Sequence, residues 1–233
     1  MQLETRTVSW LGGDRVAASI PMLVQRSGHL RFDPEIALSG TVATLVTDGL
    51  KFALIDFRKR LYQHGPACPD NIAAVLRIPL RAAEVAAILL GDVALPKDAQ
   101  PQDVIWDGHN ALDVLSVTSR SPSTTDTTRL WLGFRRQGLS FDLVSVQGEP
   151  PDRTDHARFR VSYEDLAHIE GQAYPGRIKF AEPGKSFDEG VEIKIRERTI
   201  NPPPRDQAYI VEMPEGFAAE AMPCCRGCEA RFK

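Results

Sequence analysis

Cysteines are the residues of this chain best suited to chemistry, and three of the four, Cys224, Cys225 and Cys228, crowd its end. The Cys225-x-x-Cys228 spacing could hold a metal ion or cycle between dithiol and disulfide. Zinc would need a fourth ligand, and Cys68 is the available candidate. The motif lies in a terminal tail, outside any zinc-ribbon or thioredoxin-like setting. A structural disulfide from Cys68 to Cys224 or Cys225 is therefore the favoured expectation, in an oxidising compartment. The histidines His29, His64, His109, His156 and His168 stand at turns or strand edges without the paired spacing of a zinc helix. No glycine-rich phosphate loop and no G-x-S-x-G elbow occurs. Glu164-Asp165 reads as a helix N-terminal or solvated pair. The expectation is a non-enzymatic protein with no catalytic residue, no metal site and no cofactor.

The elements that would carry any site must therefore define it. The chain has 233 residues, 42% hydrophobic and 25% charged, enough for one large β domain with a sizeable core. Its net charge of −3, from 28 basic and 31 acidic side chains, lacks the basic footprint that phosphate binding demands. Nucleic acid is excluded as an expected partner. No apolar run approaches the roughly 18 residues that span a bilayer. Met1-Gln2-Leu3-Glu4 runs directly into strand-like sequence without a secretory signal, which reads as cytosolic or as a chain trimmed of its leader.

Period two dominates. Val16, Ala18, Ile20, Met22 and Val24 alternate with their neighbours, and Leu30, Phe32, Ile36 and Leu38 oppose Arg31, Asp33 and Glu35. Turns punctuate these runs at Ser27-Gly28, Asp48-Gly49 and Gln137-Gly138. Further alternation marks Leu130, Leu132 and Phe134; Leu139, Phe141 and Leu143; Phe159, Val161 and Tyr163; Ile178 and Phe180; Val191, Ile193 and Ile195; and Tyr209, Val211 and Met213. About ten strands joined by short turns predict an antiparallel meander. One stretch breaks the pattern. Residues 69–76 and 81–90 carry apolar side chains at helical spacing, the second ending at Gly91, so a two-helix insert is predicted over 69–91. Residues 96–102 and 119–128 read as soft loops, and Asn201-Pro202-Pro203-Pro204 as a stiff connector. The domain expectation is one β domain over 1–217, with a loosely held cysteine-bearing tail over 218–233.

A single twisted sheet with two short helices has little material to fill its concave side. Its apolar face is then either plain core or the lining of a cavity, and the pattern alone permits both. The lining candidates are Ile20, Met22, Leu30, Phe32, Leu38, Phe52, Leu54, Leu132, Phe134, Phe141, Ile178, Phe180, Ile193 and Ile195. Ile72, Val75, Val85, Ile88 and Leu89 would form a lid over it.

The order of these parts resembles the lipoprotein-localisation (LolA/LolB-like) family. The run Leu45-Val46-Thr47-Asp48-Gly49-Leu50-Lys51-Phe52-Ala53-Leu54-Ile55-Asp56 is similar to that family's central hairpin. Gly65-Pro66-Ala67-Cys68-Pro69-Asp70-Asn71-Ile72 through Leu90-Gly91 is similar to the insert that follows it, and Leu38-Ser39-Gly40-Thr41 falls where LolB-like members carry a protruding loop. The resemblance covers the layout to about Met213. It implies a mainly β fold, a single strongly curved antiparallel sheet forming an unclosed β-barrel with the helical insert as lid. It also implies non-enzymatic binding and transfer of acyl chains in the cell envelope. The implied location is the periplasm, with an outer-membrane anchor at a lipidated N-terminus that this chain lacks. Implied partners are acyl chains of lipid or lipoprotein, the inner leaflet of the outer membrane and another envelope protein. The rival reading is a structural or assembly subunit of an envelope complex, with the same fold and a filled cavity.

Overall fold

A computed structural model describes residues 1–11, 14–37, 39–120, 127–149, 159–182, 184–203 and 207–224. Among the described residues the protein is mainly β. Sixteen strands belong to one large antiparallel-dominated sheet, as the alternation predicts, and it does not close, as the resemblance implies. The chain divides into two compact units, Met1–Leu90 with Ile193–Lys233, and Gly91–Glu192.

The first unit contains β1 (Gln2–Leu11), β2 (Asp14–Val24), β3 (Leu30–Phe32), β4 (Glu35–Ile36), β5 (Gly40–Thr41), β6 (Ala43–Thr47), β7 (Lys51–Asp56) and β8 (Leu61–Pro66). The helices α1 (Pro69–Leu76) and α2 (Ala82–Leu89) follow, where the insert is predicted. Ladder register sets Leu3, Met22, Phe32, Leu45 and Leu54 in one row across five strands. A second row on that face holds Val24, Leu30, Thr47 and Phe52. All nine are buried, so this face is the core of the unit.

Strands β6 and β7 are buried on their other face too, through Thr44, Val46, Ala53 and Ile55. That is why both read as nearly continuous apolar runs. The cover on that side comes from the residues that follow the proline connector. Arg31 Nη1 donates to the Ala208 carbonyl at 3.2 Å, and the His29 and Tyr209 rings meet edge-on at 5.4 Å. Phe217 closes the strap, edge-on to Phe57 and beneath the Arg60 guanidinium. Tyr209, Val211 and Met213, predicted as a last strand, form this irregular strap instead.

The tail also departs from expectation. Ala218–Ala221 forms β18, which runs parallel to β8. The Asn71 amide donates to the carbonyls of Pro66 at 2.9 Å and Met222 at 3.2 Å, tying the strand's end to the first turn of α1. Within the insert, Ile72, Leu76, Val85, Ile88 and Leu89 are buried, and so are Ile78 and Leu80 in the link between the helices. Glu84 accepts the Arg81 backbone N–H at 2.9 Å and caps α2. The turn at Gly28 needs glycine twice over. Its φ is 86°, and a Cβ there would lie 3.0 Å from the Ala83 nitrogen.

The second unit contains β9 (Gln100–Asp107), β10 (Leu112–Arg120), β11 (Thr127–Gln137), β12 (Ser140–Glu149), β13 (Phe159–Glu164) and β16 (Arg177–Ala181), in the order β16-β13-β12-β11-β10-β9. A small hairpin, β14 (Ala167–Ile169) with β15 (Gln172–Tyr174), stands apart from it. The chain leaves this unit within β17 (Val191–Thr199). One register row crosses all six strands: Val104, Leu115, Leu132, Val146, Val161 and Phe180. Its last four members are buried, Leu115 is half-buried and Val104 is exposed, so burial fades towards the β9 edge. Strand β9 overlaps the predicted loop 96–102. Exposed on both faces, it carries no alternation for a sequence reading to detect.

Candidate functional site

The predicted lining residues fall in both units. In the first, Ile20, Met22, Leu30, Phe32, Phe52, Leu54 and Ile193 are buried, and Ile195 is half-buried. In the second, Leu132, Ile178 and Phe180 are buried, and Phe134 is half-buried. Phe141 departs from the expectation: it is 55% exposed and lies beside the Arg136 guanidinium. Every residue from Arg135 to Phe141 is exposed, so alternation misjudges the turn end of the β11–β12 hairpin, where the face it marks is no longer covered. Leu38 lies outside the described residues, as do Cys225, Cys228 and His156. Of the lid residues, Ile72, Val85, Ile88 and Leu89 are buried and Val75 only half-buried.

Each unit also holds a groove that sequence reasoning missed. In the first unit about 690 Å³ opens between β6, β7 and β8 and the strap. Val46, Phe52, Ala53 and Tyr62 form one wall, and Tyr209, Ile210 and Val211 the other. Its walls are largely apolar, and the exposed Leu50 and Ile210 stand at its rim. Irregular backbone builds half of it, and such backbone has no periodicity to read. In the second unit about 1120 Å³ lies on the more polar face of the sheet. Trp106, Trp131, Arg135, Ser145, Gln147 and Arg160 are among its lining residues.

The polar groups near these grooves are mostly engaged. Glu164 and Asp165, read as helix N-terminal or solvated, pair with Arg177, and Glu164 also with Lys179 at 2.8 Å. His168 Nε2 meets both oxygens of the buried Asp142 at 2.9 and 3.0 Å, pinning the β14–β15 hairpin to β12. The Tyr163 hydroxyl donates to the Asp92 carbonyl at 2.8 Å, and burial pushes its pKa well above the ordinary phenol value. Backbone N–H groups of Lys51 and Leu50 donate to Asp48 and hold its carboxyl below the usual range. Among the described residues no three His, Cys, Asp or Glu gather as metal ligands. Cys68 is a buried free thiol. Among the described residues no helix is long and apolar enough to cross a membrane. What the first unit's groove offers chemically is apolar surface.

No protein-family model matches the sequence, and no curated protein matches it. Solved structures do share its fold. A LolA superfamily protein from Nitrosomonas europaea is 13% identical with a TM-score of 0.58, covering 90% of this chain and 89% of its own. A DUF1329 family protein from Desulfovibrio piger is 10% identical with a TM-score of 0.60, over 90% and 88%. A putative outer membrane lipoprotein-sorting protein domain from Vibrio parahaemolyticus is 6% identical with a TM-score of 0.50, over 89% and 88%. In its fold, this chain is LolA/LolB-like.

Proposed function

We propose that the protein binds and hands over acyl chains of lipid or lipoprotein in the periplasm of the bacterial cell envelope, without covalent chemistry. The observation that carries this reading is that the insert's apolar side chains are buried in the same unit whose sheet buries one apolar face. Helices α1 and α2 have eight residues each, below the roughly 12–15 that hold a helix on its own. Packing of Ile72, Leu76, Ile78, Leu80 and Leu89 must therefore hold the insert down, and a competing apolar ligand can replace that packing. Each methylene buried contributes about 0.8 kcal/mol, so one acyl chain matches what the insert gives up. Handover then needs only a second apolar site of slightly better fit. The groove under Tyr209, Ile210 and Val211 offers apolar surface before any such movement. The fold shared with a putative lipoprotein-sorting domain supports the reading.

A second reading is a structural envelope subunit with a filled core. The complete burial of Met22, Leu30, Phe32 and Leu89 favours it, because none of them lines a groove described above. Hydrogen exchange with and without a fluorescent fatty-acid analogue separates the two. In a carrier, amides over 69–91 exchange faster than those of β2, β6 and β7, and the analogue slows them. Uniform protection that the analogue leaves unchanged would overturn the lid mechanism and favour the scaffold. Native mass spectrometry of gently purified protein tests for co-purifying lipid.

A further inference from the structure

Strand β9 ends the strand order of the second unit and, among the described residues, has no neighbour on its far side. Every residue from Gln100 to Trp106 is exposed, and three consecutive apolar side chains stand there. Val104, Ile105 and Trp106 are 61%, 47% and 62% exposed. A bare edge is a template for another strand, and proteins usually blunt it. Here only one end is blunted. Pro101 has no N–H to offer, and the register with β10 slips beside it, between Ser116 and Val117. Over residues 103–107 the register is unbroken.

The polar groups of this edge have a definite direction. The Val104 N–H donates to the Asp103 carboxylate at 2.8 Å. By the alternation of an antiparallel ladder, Val104 and Trp106 then aim their backbone N–H and C=O groups outward. Side chains alternate as well. Asp103, Ile105 and Asp107 share one face, and Val104 and Trp106 the other. The edge reads acid, apolar, acid on one side and wholly apolar on the other.

We propose that residues 103–107 of β9 dock an extended polypeptide segment as an added strand, one whose apolar residues are bracketed by basic ones. The two aspartates select the basic brackets. Asp107 keeps its charge because the Asn110 side chain and the backbone N–H groups of Asn110 and His109 donate to it. Asp103 acts as a gate. Alone, it occupies the Val104 donor; a lysine or arginine across from it draws the carboxylate away and frees that donor for the incoming carbonyl. Ile105 and Asp107 also line the 1120 Å³ groove, which leaves room for side chains on the aspartate face. A second copy of this chain fits less well. Antiparallel pairing of two β9 strands about Ile105 sets Asp103 opposite Asp107 twice, and like charges placed opposite each other destabilise a ladder. This inference goes beyond the acyl-chain reading and does not depend on it.

The test titrates acetyl-Gly-Lys-Thr-Val-Thr-Lys-Gly-amide, and the same peptide with both lysines replaced by glutamate, into isotope-labelled full-length protein. The lysine peptide should shift the amides of Val104, Ile105, Trp106 and Asp107. The glutamate peptide should bind about tenfold more weakly or worse, and added salt should narrow the difference. Asp103→Lys, an exposed change that leaves the β10 ladder intact, should reduce or reverse the preference. Trp106→Ala should weaken both peptides. Equal binding of the two peptides, shifts away from β9, or no shift in a protein with a dispersed amide spectrum would each overturn the proposal. Concentration-dependent broadening of the β9 amides without peptide would assign the edge to a second copy and overturn it too.

Discussion

Replacing Phe32 by alanine removes the ring at the middle of the first unit's apolar row, where its ladder partners are Met22 and Leu45. All three side chains are at most 1% exposed. Phe→Ala in a core costs about 3–5 kcal/mol, the lost transfer energy plus the cavity left behind. Strands β2 and β6 hydrogen-bond to β3 on either side, so the walls cannot close on the hole, and the cost should fall in the upper half of that range. With a urea slope of about 2 kcal/mol/M, the midpoint for unfolding of this unit drops by roughly 2 M. Amide exchange of β3 under the same conditions reports the unit directly. The two readings of the apolar face part at the next step. If the insert opens, dodecanoate enters the vacated space and stabilises the variant more than the parent. At a hundredfold excess over its Kd the gain is about 2.7 kcal/mol. A loss below about 1 kcal/mol would refute the packing argument. A full loss that dodecanoate leaves untouched would refute the lid.

Three further outcomes are expected. The buried Thr7 hydroxyl has no hydrogen-bond partner among the described residues, so Thr7→Val should raise stability by about 1 kcal/mol in chemical denaturation. Asp48 has a depressed pKa in the folded protein, so its contribution is present above the ordinary carboxylate range and is lost as pH falls through the folded value; the Leu50 and Lys51 amides should exchange faster there, after correction for intrinsic rates. The Met222 N–H donates to the His64 carbonyl at 2.8 Å, carrying the β18–β8 ladder on towards Cys68. In an oxidising compartment the free Cys68 thiol should oxidise onto a tail cysteine, which thiol counting on denatured, unreduced protein checks. That link closes a loop of more than 150 residues and contributes roughly 4–5 kcal/mol; four free thiols would exclude it.

Much of the scaffold is decided locally. Alternation in residues 16–24 and 159–163, the Asp48-Gly49 turn, and Pro69 and Gly91 bounding the insert each follow from backbone sterics and the need to bury one face. These features are legible because their causes lie within a few residues. The residues that make or close the sites have distant causes. Ala218, Ala219, Glu220 and Ala221 have little strand character and are exposed, yet they pair with β8 because the strap delivers them there. Ile78 and Leu80 follow no period but are buried as deeply as the helices they join. Phe141 obeys the alternation and still faces solvent, because it stands beside the β11–β12 turn, where every residue from Arg135 to Phe141 is exposed. Strand β9 has strand geometry without the pattern, since an edge with water on both faces has no buried side to write into the sequence. Periodicity specifies that a face exists. Which residues it covers, and which it leaves bare, depends on partners brought together over long chain separations, and only the tertiary structure supplies those.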